Sequence, residues 1–255
     1  MRKILALVVY IANLNFLFAA TLLVPKDQPT LQSAIDAASP GDDIRLAPGR
    51  HCGAFLNKRL TITGEGQAGT ASLKLYHHYS WPVLQEDGAV IVACPDGPKH
   101  PAGVSVGLWL SSPQASGSVL SNLSFDGAGI SNENPNPLAL AIYARDLSNG
   151  NNKINDIEIS HVHIVGTVQG ITNNGGDGWH IHHNTIKDLS VFDCVMGNKL
   201  CFGGVGVVLQ LWRGAVPQGQ ARSYPVNNSV AHNNIIGAVP DTLSAFSMAG
   251  ILALN

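Results

Sequence analysis

Three histidines occupy the same position in three short segments of similar sequence. They are His161 in ISHVHIVG, His183 in IHHNTIKD and His232 in VAHNNIIG. If these segments stack as neighbouring strands about 4.8 Å apart, the three imidazoles form a column. Neutral imidazole is a common ligand of transition metals, so the column could bind copper or zinc. The alternative is a polar ladder, because a fourth segment, LSNLSFDG, has Asn122 at this position.

A second set of residues has the chemistry to act on an acidic sugar. Arg145, Asp146, Asp177 and Arg213 lie at the ends of short aliphatic runs or in turns. Arginine pairs with a carboxylate, and a lyase needs a base near the proton next to that carboxylate. We predict Arg213, Asp177 and Asp146 as catalytic residues and Arg145 as a substrate-binding residue. The alternative is that they are solvated surface charges on turns.

Aromatic residues in the aliphatic runs suggest a surface for sugars. Alternation along these runs directs Leu108, Leu110 and Ile142 inward and leaves Trp109 and Tyr143 outward on adjacent coils. Exposed aromatic faces at this spacing can stack on sugar rings. The residues predicted to bind substrate on this face are Trp109, Tyr143, Gln210 and Trp212. The alternative is that loops cover Trp109 and Tyr143 as a secondary core.

The element that positions these residues is a template that recurs four times. Each copy begins with an aliphatic residue, has a polar corner, and places another aliphatic residue five positions later; those later residues are Phe125, Ile164, Ile186 and Ile235. Self-similarity of this kind indicates a coiled β-solenoid, and the interval from Ile159 to Ile181 is about one coil. The template supplies two strands of each coil. Runs such as Gly107 to Leu110 and Gly206 to Leu209 supply the other.

The remaining elements complete one β-rich domain over residues 21–255. A helix is predicted from Thr30 to Ala38, with Thr30 as its N-cap, and we expect it to cap the open end of the solenoid. Short strands are predicted at Asp43 to Leu46, Leu60 to Thr63 and Ala89 to Ala93. Met248 to Asn255 forms a strand with no cap after it, so we expect a chain truncated at its C-terminal end.

The N-terminal half and the template resemble a known superfamily. TLQSAIDAASPGDDIRLAPGRH followed by LTITGEG, with the later IHHNTI and VAHNNI, is similar to the right-handed parallel β-helix of the pectate lyase-like superfamily. The resemblance covers nearly the whole mature chain and implies an all-β fold, a polysaccharide substrate and, for a lyase, calcium. The hydrolase motifs of that superfamily are absent, and of its Arg-x-Pro-x-x-Arg lyase segment only Arg213 with a distant Pro217 remains.

Composition and the first residues predict where the protein resides. A net charge of -2 without a basic run excludes a nucleic-acid partner. Met1 to Ala20 has the charged and then apolar order of a signal peptide, so we expect cleavage near Ala20, no stable membrane span and a secreted, periplasmic or cell-surface monomer. In an oxidising compartment the cysteines become candidate disulfides, Cys194 with Cys201 and Cys52 with Cys94, the alternative being four free thiols.

Three functions follow from these observations. The first is a secreted lyase or hydrolase that acts on uronate-rich polysaccharide. The second is a solenoid that binds carbohydrate or a surface without cleaving it. The third is a periplasmic copper-handling protein that uses the histidine column. Fold association and the outward aromatic residues favour the first, and that preference is an analogy.

Overall fold

A computed structural model of the chain describes residues 19–68, 71–76, 79–84, 87–127, 138–147, 152–189, 204–210, 227–237 and 250–254, and within 71–84 only the backbone. The described chain is mostly β-structure and forms three sheets in which every strand pair is parallel. A search of these residues finds no helix with the length and apolar character needed to cross a membrane.

The strands, numbered in chain order, divide among the sheets as follows. Sheet A contains β1 (Thr21–Val24), β2 (Asp43–Leu46), β5 (Thr61–Gly64), β10 (Val119–Ser121), β13 (Glu158–Ser160), β16 (His180–His182) and β19 (Ser229–Ala231). Sheet B contains β3 (Gly49–Cys52), β8 (Ala89–Val92), β11 (Ser124–Asp126), β14 (His163–Val165), β17 (Thr185–Leu189) and β20 (Asn234–Gly237). Sheet C contains β4 (Ala54–Leu56), β9 (Ser105–Leu110), β12 (Leu138–Ala144), β15 (Gln169–Asn174), β18 (Val205–Gln210) and β21 (Ile251–Leu254).

The chain visits the three sheets in the same order again and again. After β1, each passage through A, B and C forms one coil: β2 to β4 is coil 1, β5 to β9 is coil 2, and the four later coils take three consecutive strands each. An antiparallel hairpin, β6 (Ala71–Tyr76) and β7 (Tyr79–Leu84), is inserted in coil 2. This arrangement is compatible with the parallel β-helix that the repeats predict.

The register between coils matches the alignment of the four sequence segments. Ile159 lies opposite Leu120 on one side and Ile181 on the other, and Ile181 lies opposite Val230. In sheet B, Ile164 lies opposite Phe125 and Ile186 in the same way. Equivalent template positions are therefore neighbours in space, which confirms the predicted stacking.

One continuous apolar core fills the space between the three sheets. It includes the fully buried Phe125, and also Leu108 and Ile142, which the alternating pattern predicts to face inward. Helix α1 (Leu31–Ala37) buries Leu31 and Ile35 against this core and contacts β1 to β4, so it closes the core at coil 1. Its N-cap is Thr30, whose hydroxyl accepts a hydrogen bond from the Ser33 amide.

A row of small residues in sheet C lets the coils approach each other. A methyl group on Gly107 would lie 2.5 Å from the carbonyl oxygen of Ala141 and 2.8 Å from the Phe125 ring. A methyl group on Gly170 would collide with the equivalent oxygen of Gly206, with Ile186 behind it. These runs begin with glycine because their first residue faces the aliphatic column of sheet B at close range.

Candidate functional site

A corner between sheets A and B holds the three template histidines. Asn122, His161, His183 and His232 directly follow a sheet A strand, and all four have positive φ, 52°, 55°, 56° and 54°. The His161 and His183 rings stack with centroids 5.4 Å apart, and the His183 and His232 rings with centroids 5.2 Å apart. The three rings are exposed to solvent. We call His161, His183 and His232 the corner histidines.

The side chain of Asn122 has a structural role at the same corner. Its amide nitrogen donates hydrogen bonds to the carbonyl oxygens of Gly64 (2.6 Å) and Gly66 (3.0 Å), which belong to the preceding coil. This is the polar ladder that the sequence offers as the alternative to a metal site. In the following coils the corner histidines occupy the equivalent position, and their imidazole rings stack on one another.

Two more histidines on sheet A extend the imidazole surface. His182 Nδ1 lies 2.9 Å from His183 Nδ1, so one of these nitrogens donates a hydrogen bond to the other. His182 also lies 3.7 Å from the carboxylate of Glu158, and His180 is exposed on the same strand. The pKa of His183 is lowered, first by loss of hydration and then by the neighbouring imidazoles of His182, His232 and His161.

Beside the corner histidines, two asparagines join the coils from within. Asn184 is 1 % exposed; its Oδ1 accepts a hydrogen bond from the Val162 amide at 2.8 Å, and its Nδ2 donates to the Ile159 carbonyl at 3.0 Å. Asn233 repeats the pattern one coil later, since its Oδ1 accepts from the Asn184 amide and its Nδ2 donates to the Ile181 carbonyl. These contacts fix the backbone on which the imidazoles stand.

The geometry of the corner does not favour a metal site. The stacked rings lie nearly parallel, with interplanar angles of 5° and 18°, whereas ligands of one ion direct their nitrogens at a common point. In the part of the chain that the structure describes, no group of three or more His, Cys, Asp or Glu side chains is arranged to bind a metal ion. Copper or zinc binding by the corner histidines stays a prediction without geometric support.

The aromatic residues of sheet C point out of the core as expected but are not exposed, which corrects the exposed stacking surface inferred from sequence. Trp109 is 2 % exposed and Tyr143 is 7 % exposed. They pack edge to face at 5.2 Å within a second apolar cluster that contains Val106, Leu140 and Val168. This is the secondary core that was the alternative. We call Trp109, Tyr143 and their partner Phe55 the outer aromatic cluster.

Two of the predicted catalytic carboxylates have structural partners. Asp177 forms an ion pair with Lys153, with Nζ 2.8 Å from Oδ2 and 3.1 Å from Oδ1. Asp146 accepts a hydrogen bond from Asn152 at 3.2 Å. The lysine ammonium already neutralises Asp177, so this carboxylate does not fit the calcium ion predicted for a lyase.

The predicted binding residues at the end of sheet C strands are also engaged or only half-exposed. The carbonyl oxygen of Arg145 accepts a hydrogen bond from the Trp109 indole at 2.9 Å, while its side chain is exposed. Gln210 is half-buried at the end of β18. Arg213, Trp212, Cys194, Cys201 and the predicted signal peptide to residue 18 lie outside the described residues.

One residue near the aromatic cluster has no counterpart in the sequence-based predictions. His100 stacks on Trp109 at 6.2 Å, and its Nε2 lies 3.3 Å from the Tyr143 hydroxyl. It lies outside the repeated segments, so no periodic pattern marks it. The only local signal is its place in the Gly- and Pro-rich stretch GPKHPAG, which is typical of a loop.

Comparison with protein-family profiles, curated proteins and solved structures finds no match to the chain. The function is therefore inferred from the chemistry of the described residues. The predicted bond between Cys52 and Cys94 is confirmed. A disulfide is compatible with an extracellular protein, because such bonds persist in oxidising compartments.

Proposed function

We propose that this protein is an extracellular, pectate lyase-like parallel β-helix that binds uronate-rich polysaccharide along the corner histidines and the adjoining face of sheet A. The observation that carries the proposal is the stack of exposed imidazoles repeated from coil to coil. A polymer that presents a carboxylate at regular intervals would meet a similar donor at each step along the stack. Because the imidazoles of the protein and the carboxylates of the polymer both repeat, several contacts would form at once and increase the overall affinity.

The neighbouring surface has suitable chemistry for the rest of a sugar. The outward positions of sheet A include the half-exposed Thr61, Thr63 and Ser121, and Thr63 and Ser121 contact each other through their hydroxyls at 3.2 Å. Hydroxyl groups both donate and accept hydrogen bonds, as sugar hydroxyls do. The carboxylate of Glu158 lies 3.7 Å from His182. This surface therefore becomes cationic when the histidines are protonated.

The lowered pKa of His183 gives the proposal a direction with pH. An imidazole whose pKa is depressed is neutral at neutral pH and gains its charge only as the pH falls below its ordinary value of about 6.5. Binding of a carboxylate polymer should consequently strengthen on acidification, down to the pH at which uronate itself is protonated. A neutral polymer has no carboxylate to pair with these imidazoles, so the corner histidines should give it no such increase.

We place binding ahead of cleavage. Asp177 is held by Lys153, and Asp146 is bonded to Asn152. A general base needs a free lone pair within reach of the proton that it removes. The described contacts of Asp177 and Asp146 engage the lone pairs that a general base would need.

The test is affinity electrophoresis of the whole protein through gels that contain polygalacturonate, alginate or a neutral glucan, at about pH 7.5 and about pH 5.5, on either side of the ordinary histidine pKa. We expect retardation by the uronate polymers that increases at the lower pH. The triple variant His161→Asn/His183→Asn/His232→Asn should lose that increase. Asparagine is the matched replacement because Asn122 occupies the same backbone conformation in the preceding coil.

A second variant separates the corner histidines from histidine content in general. His163→Asn removes a half-buried template histidine on sheet B and should leave retardation unchanged. Equal mobility of the wild type with and without uronate polymer at both pH values would refute the proposal. So would equal retardation of the wild type and the triple variant, provided that both melt cooperatively.

A further inference from the structure

A short segment covers the outer aromatic cluster. Residues 95–104, which we call the strap, run from Cys94 to the start of β9. The Cys52–Cys94 disulfide anchors one end, the other end continues into β9, and a hydrogen bond from the Val106 amide to the Pro98 carbonyl at 2.9 Å joins the strap to β9. Beyond Pro98 the strap exposes 101–103 to solvent.

His100 provides the aromatic contacts of the strap with the cluster. Its ring stacks on Trp109 with an interplanar angle of 24° and meets Tyr143 edge to face at 5.3 Å. The same residue closes the turn of the strap, because its amide donates to the Val104 carbonyl at 2.9 Å and its carbonyl accepts from the Gly103 amide at 2.7 Å. One side chain thus joins the strap to the cluster beneath it.

The hydrogen bonds of His100 define which nitrogen carries the proton. The Ala102 amide donates to His100 Nδ1 at 3.2 Å, so Nδ1 is an acceptor and has no hydrogen. In the neutral ring the hydrogen is then on Nε2, which donates to the Tyr143 hydroxyl at 3.3 Å. A second proton can enter only at Nδ1. There it would face the Ala102 N–H, and that amide would lose its acceptor.

The surroundings also oppose a positive charge on His100. The titratable groups that face it from β12 and the residues after it are Tyr143 and Arg145, and Lys99 precedes it in the strap. Burial, first, and the charge of Arg145, second, lower the pKa of His100. A depressed pKa means that the closed strap is fully stable above the ordinary value of about 6.5 and loses stability as the pH falls through the lowered value.

We propose that neutral His100 holds the strap over the outer aromatic cluster and that protonation of His100 releases it, exposing Trp109 and Tyr143 as a stacking site for a sugar ring. Because both ends of the strap are anchored, release is a local opening and the fold remains intact. The opening is independent of the proposed function. The assignment of a sugar as the ligand rests on the proposed function, since aromatic faces stack equally well on other apolar rings.

The test of the opening is acrylamide quenching of tryptophan fluorescence on the intact protein, measured from about pH 7.5 to about pH 4.5 around the ordinary histidine pKa. We expect quenching of the wild type to increase as the pH falls. Trp109→Phe should lack the increase, because the residue that becomes exposed is absent. His100→Asn should also lack it, because an asparagine oxygen can accept from the Ala102 amide at every pH in the series.

Two controls and a binding measurement complete the experiment. His163→Asn removes another histidine whose pKa is lowered by burial, and it should behave as the wild type does. An unchanged wild-type signal, or an increase that persists in Trp109→Phe or His100→Asn, would overturn the opening. Retardation by a neutral glucan gel at low pH should appear in the wild type and be lost in His100→Asn. Opening without that retardation would overturn the sugar site, whereas loss of uronate binding alone would refute only the proposed function.

Discussion

At the scale of single residues, the corner between sheets A and B shows how backbone conformation selects side chains. Asn122 and the three corner histidines share a φ between 52° and 56°, a left-handed conformation in which Asn and His are enriched. The sequence pattern of one asparagine and three histidines is therefore first a consequence of the turn. The imidazole rings stack on one another because the same turn recurs in successive coils.

Among the residues at this corner, we expect replacement of Asn184 to reduce the free energy of unfolding most. Asn184→Ala would leave the buried Val162 amide without its hydrogen-bond partner and would remove the bond to the Ile159 carbonyl. Since an unsatisfied buried group costs about 1–3 kcal/mol, we expect the free energy of unfolding to decrease by about that amount. Denaturant unfolding followed by circular dichroism measures it.

Asn233→Ala is the matched control for that substitution. Asn233 makes equivalent bonds one coil later but is half-buried, so water can replace the lost partners and the decrease should be smaller. Equal decreases for the two variants would show that burial does not determine the effect.

At the scale of elements, Gly107 within β9 sets the distance between coils. Gly107→Ala would place a methyl group against the Ala141 carbonyl and the Phe125 ring, and neither can move without disturbing a strand. Overpacking of a core costs about 1–3 kcal/mol, so we expect the free energy of unfolding to decrease by that order. Thermal and denaturant unfolding of the folded variant would measure this change.

Gly97→Ala offers a control elsewhere in the chain. Its methyl group would approach the Cys94 carbonyl oxygen only to 3.3 Å, so a slight shift accommodates it. We expect a change within about 0.5 kcal/mol, as for an ordinary surface substitution. If Gly107→Ala were as well tolerated as Gly97→Ala, close packing between coils would not explain the glycine.

The repeated elements could be predicted from the sequence, and the insertions could not. Strand β2 has the predicted bounds, and the template segments pair in the predicted register, because each position meets its own counterpart in the next coil. The hairpin β6 to β7 and the strap occur once, so no periodicity marks them. The outward direction of Trp109 follows from the alternating pattern and was predictable. The strap that covers Trp109 occurs once and was not.

At the scale of the whole molecule, the disulfide joins two coils. Cys52 ends β3 in coil 1, and Cys94 follows β8 in coil 2. Cross-links of this loop length stabilise by about 2–4 kcal/mol, so Cys52→Ser/Cys94→Ser should unfold at lower denaturant concentration by that difference. Reduction of the wild-type protein before unfolding is the control and should approach the same midpoint. An unchanged midpoint in the double variant would contradict the prediction.

The same bond gives the unfolding of the molecule a direction. In a stack where each coil contacts its neighbours, separation can in principle begin between any two coils. The Cys52–Cys94 bond prevents coils 1 and 2 from moving apart, and α1 covers the core on the other side of coil 1. We therefore expect separation to start between later coils, so that coils 1 and 2 are the last of the described coils to lose their structure.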